Sequence, residues 1–129
     1  MNRCADASFL IDVTRGDIGA VGKLREIQLA GEALTSPAPA VAELLLGAYL
    51  HSGRAQTEAV SFAGEIETIP IEFETAVLAA RIAAKLVRAG KPLAMVDILI
   101  AAAAVSKNLA LLTRDQGFSR IDGLVVEPY

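Results

Sequence analysis

Arg3-Cys4-Ala5-Asp6-Ala7-Ser8-Phe9-Leu10-Ile11 passes from an apolar strand to a helix across a single acid. Residues 3 to 6 form a short predicted strand ending on an acid, and Ser8 is placed to cap a helix running to about Val13, before Gly16 breaks it. A strand that hands over to a helix within two or three residues is the start of an alternating α/β pattern, and the chain repeats that pattern to its end.

Asp17 caps a second predicted helix that ends near Gly31, and residues 32 to 36 form a second strand. Pro37 and Pro39 open a helix over Val41 to His51, since proline suits a first helical turn. Residues 54 to 65 read as helical and Glu67 to Ile71 as a third strand. An amphipathic helix follows over Glu74 to Ala89, with Gly90 as its stop. Met95 to Lys107 reads as a further helix, Leu109 to Thr113 as a fourth strand, 114 to 120 as a loop or short helix, and Leu124 to Glu127 as a last strand after the Asp122-Gly123 turn. Alternation of this kind predicts an α/β layer fold with a mostly parallel sheet, whose ligand site lies beyond the carboxyl ends of the strands.

The chain has 129 residues, enough for one domain with a real core, and 53% of them are hydrophobic. The single cysteine, Cys4, demands no oxidising compartment and is expected to pack as a small hydrophobe. Asp6 interrupts the apolar start too early for a signal peptide. The longest apolar run, Ile98 to Val105, is far short of the roughly 20 residues needed to span a bilayer. A cytoplasmic location and no membrane partner are the default expectations. A formal charge of −3 argues against a general nucleic-acid coat protein, though a local rim of Lys and Arg can reverse the sign at one site.

Four acids interrupt or end apolar runs: Asp6, Glu43, Asp97 and Asp115. Glu43 is the only charged side chain in Ala40 to Leu50, and Asp97 is the only one between Lys91 and Lys107. Burying an ionised carboxylate costs several kcal/mol even after relaxation. If the four meet they also repel one another, and a divalent cation resolves both problems. Asp6 ends the first strand and Asp115 follows the fourth by two residues, so both belong at the carboxyl edge. Asp97 lies near its helix N-terminus, which can abut that edge.

Taken in order, Asp6-Ala7-Ser8-Phe9-Leu10-Ile11, Ala42-Glu43-Leu44-Leu45-Leu46-Gly47, Asp97-Ile98-Leu99-Ile100-Ala101-Ala102-Ala103-Ala104 and Leu111-Leu112-Thr113-Arg114-Asp115 with Phe118 resemble a PIN-domain ribonuclease of the VapC toxin type. The resemblance covers essentially the whole chain as a single domain over 1–129. It implies a PIN-like three-layer α/β/α sandwich with a mostly parallel sheet of about five strands, holding Mg²⁺ or Mn²⁺ and hydrolysing RNA phosphodiester bonds. Carried over by position, Asp6 and Asp97 would be the principal metal ligands. Glu43 and Asp115 would complete the pocket directly or through water, and Thr113 and Ser8 would supply supporting hydroxyls. Hard oxygen ligands suit Mg²⁺, which screens the phosphate and lowers the pKa of its bound water. Water as nucleophile implies products with 5′-phosphate and 3′-hydroxyl ends. Toxins of this type are held inactive by a small antitoxin whose C-terminal segment fills the acidic groove, and they form homodimers.

The residues also allow plainer readings. Asp6 serves equally well as a helix cap, Asp97 as a charge complementing the helix dipole, and Asp115 as an ordinary turn acid. Arg114, Arg3, Lys91 and Arg120 are candidate RNA backbone contacts, or else surface charge. Asp12 and Asp17 are read as structural acids at a solvated helix end and a cap. Leu45, Leu46 and Tyr49 are candidates for a partner surface, with the core as their more expected destination. A single histidine, His51, cannot supply the acid and base pair that a 2′-hydroxyl mechanism needs, and it reads as a surface residue. Two other functions remain: a PIN-like module without catalysis, disfavoured because all four acids are present, and a phosphoacceptor receiver domain, whose lysine at the end of the last strand is missing from Leu124-Val125-Val126-Glu127.

Overall fold

The computed structural model describes residues 3–129; Met1 and Asn2, with which the predicted single domain begins, lie outside the described residues. Five short strands, β1 (Arg3–Ala5), β2 (Leu34–Pro37), β3 (Glu67–Ile69), β4 (Ala110–Leu112) and β5 (Val126–Glu127), form one sheet in the order β3-β2-β1-β4-β5. Every neighbouring pair is parallel, with Cys4 opposite Thr35 on one side and Leu111 on the other. The helices are α1 (Ala7–Thr14), α2 (Ile18–Leu29), α3 (Ala38–Tyr49), α4 (Gly53–Glu65), α5 (Phe73–Arg88) and α6 (Met95–Ser106), and a 3₁₀ helix covers Gln116–Arg120.

Successive strand residues face opposite sides, so each strand feeds two cores. Cys4 and Leu111 turn toward α5 and α6, where they pack with Ala79, Leu86, Ile98 and the fully buried run Ala101 to Ala104. Their neighbours Ala5 and Leu112 turn the other way, toward Phe9, Leu10, Ala20, Ile27, Val41, Leu44 and Ala63 on α1 to α4. The result is the three-layer α/β/α sandwich that the resemblance implies, built on the parallel sheet expected from the alternation. Alanines along α6 let its backbone approach the sheet closely, so a methylene added there would overpack the layer.

Local chemistry explains most of the differences from the expected boundaries. Asp6, not Ser8, is the N-cap of α1: its Oδ1 accepts from the Phe9 amide at 3.2 Å, so the helix starts at Ala7. β3 stops at Ile69 because Pro70 offers no N–H to extend the ladder. Helix α3 starts at Ala38, directly after Pro37, and ends before His51. β5 is confined to Val126–Glu127, and β2 runs one residue further than expected, to Pro37. Helices α5 and α6 both close with the paired bonds of a Schellman turn. In α5, Lys91 N–H donates to Leu86 O and Gly90 N–H to Val87 O; in α6, Leu109 N–H donates to Ala104 O and Asn108 N–H to Val105 O. The turning residues, Gly90 at φ 70° and Asn108 at φ 55°, occupy left-handed backbone that glycine and asparagine tolerate. Asn108 thereby turns the chain directly into β4, and the segment after Gly90 leads into α6.

Candidate active site

Asp6, Glu43, Asp97 and Asp115 line one cavity of about 280 Å³ at the carboxyl edge of the sheet, together with Ser8, Arg15 and Arg114. Four distant parts of the chain supply them. Asp6 follows β1, Glu43 sits on α3, Asp97 lies in the first turn of α6, and Asp115 caps the 3₁₀ helix after β4, its Oδ1 accepting from Gly117 N–H at 2.9 Å.

Asp6 is the buried member, at 4% exposure, and it is held from every side. Ser8 Oγ donates to its Oδ1 at 2.6 Å and Thr113 Oγ1 donates to its Oδ2 at 2.5 Å, beside the Phe9 amide on Oδ1. Thr113, itself 2% exposed, also accepts the Asp115 amide at 3.0 Å, so one hydroxyl ties the first acid to the fourth. Each carboxylate oxygen offers two lone pairs, and these bonds leave Oδ2 with one still free.

The other acids are more open than their apolar surroundings in the sequence suggested. Helix α3 turns Ala40, Val41, Leu44 and Ala48 inward and leaves Glu43 on its exposed face. Asp97 is half-buried and Asp115 exposed. Burial raises the pKa of Asp6 despite its hydrogen bonds. Glu43 is raised by burial and then by the charges of Asp97 and Asp6; Asp97 is raised by burial and then by Asp115 and Asp6. Carboxylates that raise one another are unneutralised and share a field, although the α6 N-terminus favours an anion at Asp97.

Two cations reach the cavity wall, and one is fixed by a buried acid. Asp12, expected at a solvated helix end, is instead 8% exposed. Its carboxylate accepts Arg114 Nε at 2.7 Å and the Tyr129 hydroxyl at 2.6 Å. Burial would raise Asp12, but these bonds from Tyr129 and Arg114 outweigh it and hold it below the usual range. Burial and the bond to Asp12 push Tyr129 up to about 12, so it stays a donor. Arg15, which the sequence reading passed over, lines the same wall. The signal was available: Ser8, Ile11 and Arg15, spaced by three and four, share one face of α1 and its cap. Nothing local linked Asp12 to Tyr129 across 117 residues.

The remaining expected contacts fall elsewhere. Arg3 opens β1 and is engaged by Glu32 and Glu127, so it does not line the acidic cavity. Lys91 and Arg120 line a separate cavity against α5. His51 is exposed and borders a third groove with Ile11, Leu44 and Phe62. Leu46 and Tyr49, assigned to the core by expectation, are each 62% exposed, because they share the outer face of α3 with Glu43.

The donor set suits a hard divalent cation. Four carboxylates contribute oxygen only, no histidine or thiol lines the cavity, and Asp6 keeps a free lone pair. Among the described residues no three His, Cys, Asp or Glu side chains stand close enough together to hold one ion between them. That openness is compatible with Mg²⁺, which keeps several waters and needs few protein ligands.

Fold and site together define a class: a three-layer α/β protein with a carboxylate pocket at the carboxyl edge of a parallel sheet. The sequence pattern of the family described as PIN domain matches residues 3–124. The chain belongs to the PIN domain family. A search of curated proteins gives no match. Among solved structures, VapBC2 from Rickettsia felis, bound to a DNA fragment from its promoter, is similar at TM-score 0.88 and 19% identity over 100% of this chain and 99% of that one. VapBC-5 from Mycobacterium tuberculosis, a member of the VapBC family of toxin-antitoxin systems, matches at 0.71 and 22%, over 98% and 96%. FitAcB from Neisseria gonorrhoeae matches at 0.76 and 26%, over 96% of each. No helix among the described residues is long and apolar enough to cross a membrane.

Proposed function

We propose that this chain is a VapC-type toxin, an endoribonuclease that uses Mg²⁺ or Mn²⁺ to hydrolyse RNA phosphodiester bonds. The observation that carries this reading is the set of four acids in one cavity, three of them raised in pKa, with no side-chain cation paired to any of the four among the contacts described. Asp6 and Asp97 would hold the metal, with Glu43 and Asp115 completing the pocket. When bound, a divalent cation supplies positive charge to the phosphate and a water of lowered pKa.

The chain's own residues do the rest. Ser8 and Thr113 fix Asp6 in one rotamer, so its free lone pair has a set direction. Arg114, steered by Asp12, presents its remaining N–H donors to a phosphate oxygen. The groove carrying His51 shares Ile11 and Arg15 with the acidic cavity, and Leu46 and Tyr49 lie exposed on the α3 face beyond Glu43. A segment of a small antitoxin seated there would reach the acids, as expected from the likeness to toxin-antitoxin complexes. A homodimer is part of the same reading.

The test is cleavage of an RNA panel with Mg²⁺, Mn²⁺ or EDTA, comparing wild type with Asp6→Asn and Asp97→Asn. Cutting that needs the metal and both acids, and leaves 5′-phosphate ends, is expected. Unchanged cutting in EDTA or by either variant would reject the mechanism.

A further inference from the structure

Away from the acidic cavity, the carboxyl-terminal half of α5 carries a concentration of positive charge that the catalytic reading does not use. Arg81, Lys85 and Arg88 are spaced by four and three, which places them on one face of the helix, and all three are exposed. Arg81 and Lys85 border a cavity of about 330 Å³ with Lys91, from the loop after α5, and Arg120, from the end of the 3₁₀ helix. Asp122 is the one acid on its wall, bonded to Lys85 Nζ at 2.6 Å. Five of the chain's 12 Lys and Arg residues thus gather on one surface of a protein whose formal charge is −3. A field of that sign must be local.

Helix chemistry alone does not account for it. Lys85 and Arg88 in the last turn complement the helix dipole. Arg81 lies a turn earlier, and Lys91 and Arg120 belong to other segments, yet they converge on the same concavity. Its floor is apolar, made by Ile82, Leu86 and Ile121. A charged rim over an aliphatic floor fits the backbone of a nucleotide chain, with phosphates at the rim and sugars below.

The same two segments border both cavities. The chain runs from Lys91 through Leu93 to Asp97, and from Asp115 through the 3₁₀ helix to Arg120. These segments are held together: Arg120 Nη1 donates to Pro92 O at 3.3 Å, and a Cβ at Gly117 would come within 3.3 Å of the Leu93 side chain. Five residues of 3₁₀ helix cover roughly 10 Å, so the basic surface begins close to the acids.

We infer that the Arg81, Lys85, Arg88, Lys91 and Arg120 surface is a backbone-binding track for single-stranded RNA, holding the strand beyond the point where it leaves the acidic pocket. The inference rests on the nuclease reading for the direction of the strand, but its binding chemistry stands apart from catalysis. Arg120 also anchors Pro92, so the test leaves it in place. Binding of a short fluorescein-labelled oligoribonucleotide is measured by anisotropy in EDTA, where metal-dependent cleavage is absent, for wild type, the triple variant Arg81→Gln/Arg88→Gln/Lys91→Gln, and Asp122→Asn.

The triple variant should bind at least about tenfold more weakly. Its plot of log K against log salt should flatten by about 2, from three lost phosphate contacts at roughly 0.7 each. Asp122→Asn frees Lys85 and should tighten binding about twofold, a gain that misfolding cannot produce. Unchanged affinity and slope in the triple variant would overturn the track. So would equal binding of polyglutamate, which would mark the surface as a site for acidic protein. Should wild type prove unable to cleave with any metal while the track variants still lose RNA, the nuclease reading falls and the track remains.

Discussion

Carboxylates occur in two contrasting settings in this molecule. Around Arg3, they are neutralised. Glu32 and Glu127 both engage the Arg3 guanidinium, and Lys23 Nζ adds a bond to Glu127 at 3.1 Å. The Arg3 hydrogen bond holds Glu32 below the usual range. Burial would raise Glu127, but the bonds from Arg3 and Lys23 outweigh it. At the carboxyl edge of the sheet, Asp6, Glu43 and Asp97 have only hydroxyls, amides and one another, and all three are raised. The fold has cations available at that edge, and it directs Arg114 onto Asp12 instead. The acids around Arg3 are paired with cations. The pocket acids have no such cation bound to them among the described residues.

The largest expected effect comes from breaking the unpaired set. Asp6→Asn or Asp97→Asn should reduce RNA cleavage in Mg²⁺ by about 10³-fold, the rate equivalent of roughly 4 kcal/mol, while the fold, followed by circular dichroism, persists. Thr113→Val tests the support beneath it. Removing the hydroxyl that holds Asp6 and Asp115 should lower activity about 10- to 100-fold and shift the metal requirement to higher concentration, measured as cleavage against Mg²⁺.

The two settings should also respond to pH with opposite sign. Acids raised in the folded state bind more protons there than in the unfolded chain, so the metal-free protein loses their contribution as pH rises from about 4 through the raised values. Glu32 and Glu127 are lowered, so their contribution is present above pH about 4.5 and is lost as pH falls through their folded values. Urea unfolding across pH, without metal, separates them. Asp97→Asn should stabilise near neutrality, with a rise in Tm of a few degrees for about 1 kcal/mol. Glu127→Gln should destabilise by a similar amount and flatten the acid limb. Equal signs for the two variants would erase the distinction.

The smallest effect concerns the steering of Arg114. Tyr129→Phe keeps the edge-to-face contact with Phe9, at 4.9 Å between ring centroids, and removes only the hydroxyl on Asp12. The apparent KM for RNA should rise a few-fold with kcat nearly unchanged, the pattern of a lost binding contact. A fall in kcat with KM constant would place Arg114 at the reacting phosphate instead.

How far this architecture could be read from the residues differs between fold and site. Alternation of short apolar runs with helical periodicity was enough for an α/β layer fold and a parallel sheet, because each strand must bury both faces, and the resemblance of the four acidic segments added the three-layer arrangement. Boundaries depended on single atoms: the missing N–H of Pro70 and the Asp6 carboxylate reaching the Phe9 amide. The acids were visible through their isolation in apolar sequence, yet that isolation overstated the burial of Glu43. It marked only that the rest of α3 faces the core. Asp12 misled in the opposite direction, since its partners Arg114 and Tyr129 come from the far end of the chain. Long-range pairing of charges is set by topology, and no local pattern encodes it.

On the proposed reading the pocket acids take a divalent cation, which Mn²⁺ binding at pH 7, followed by isothermal titration and by the free-ion electron paramagnetic resonance signal, tests without any RNA. Wild type should bind Mn²⁺ and gain thermal stability as its concentration increases; Asp97→Asn should do so at least about tenfold more weakly. Absence of binding by wild type, or equal binding by Asp97→Asn, would contradict the account.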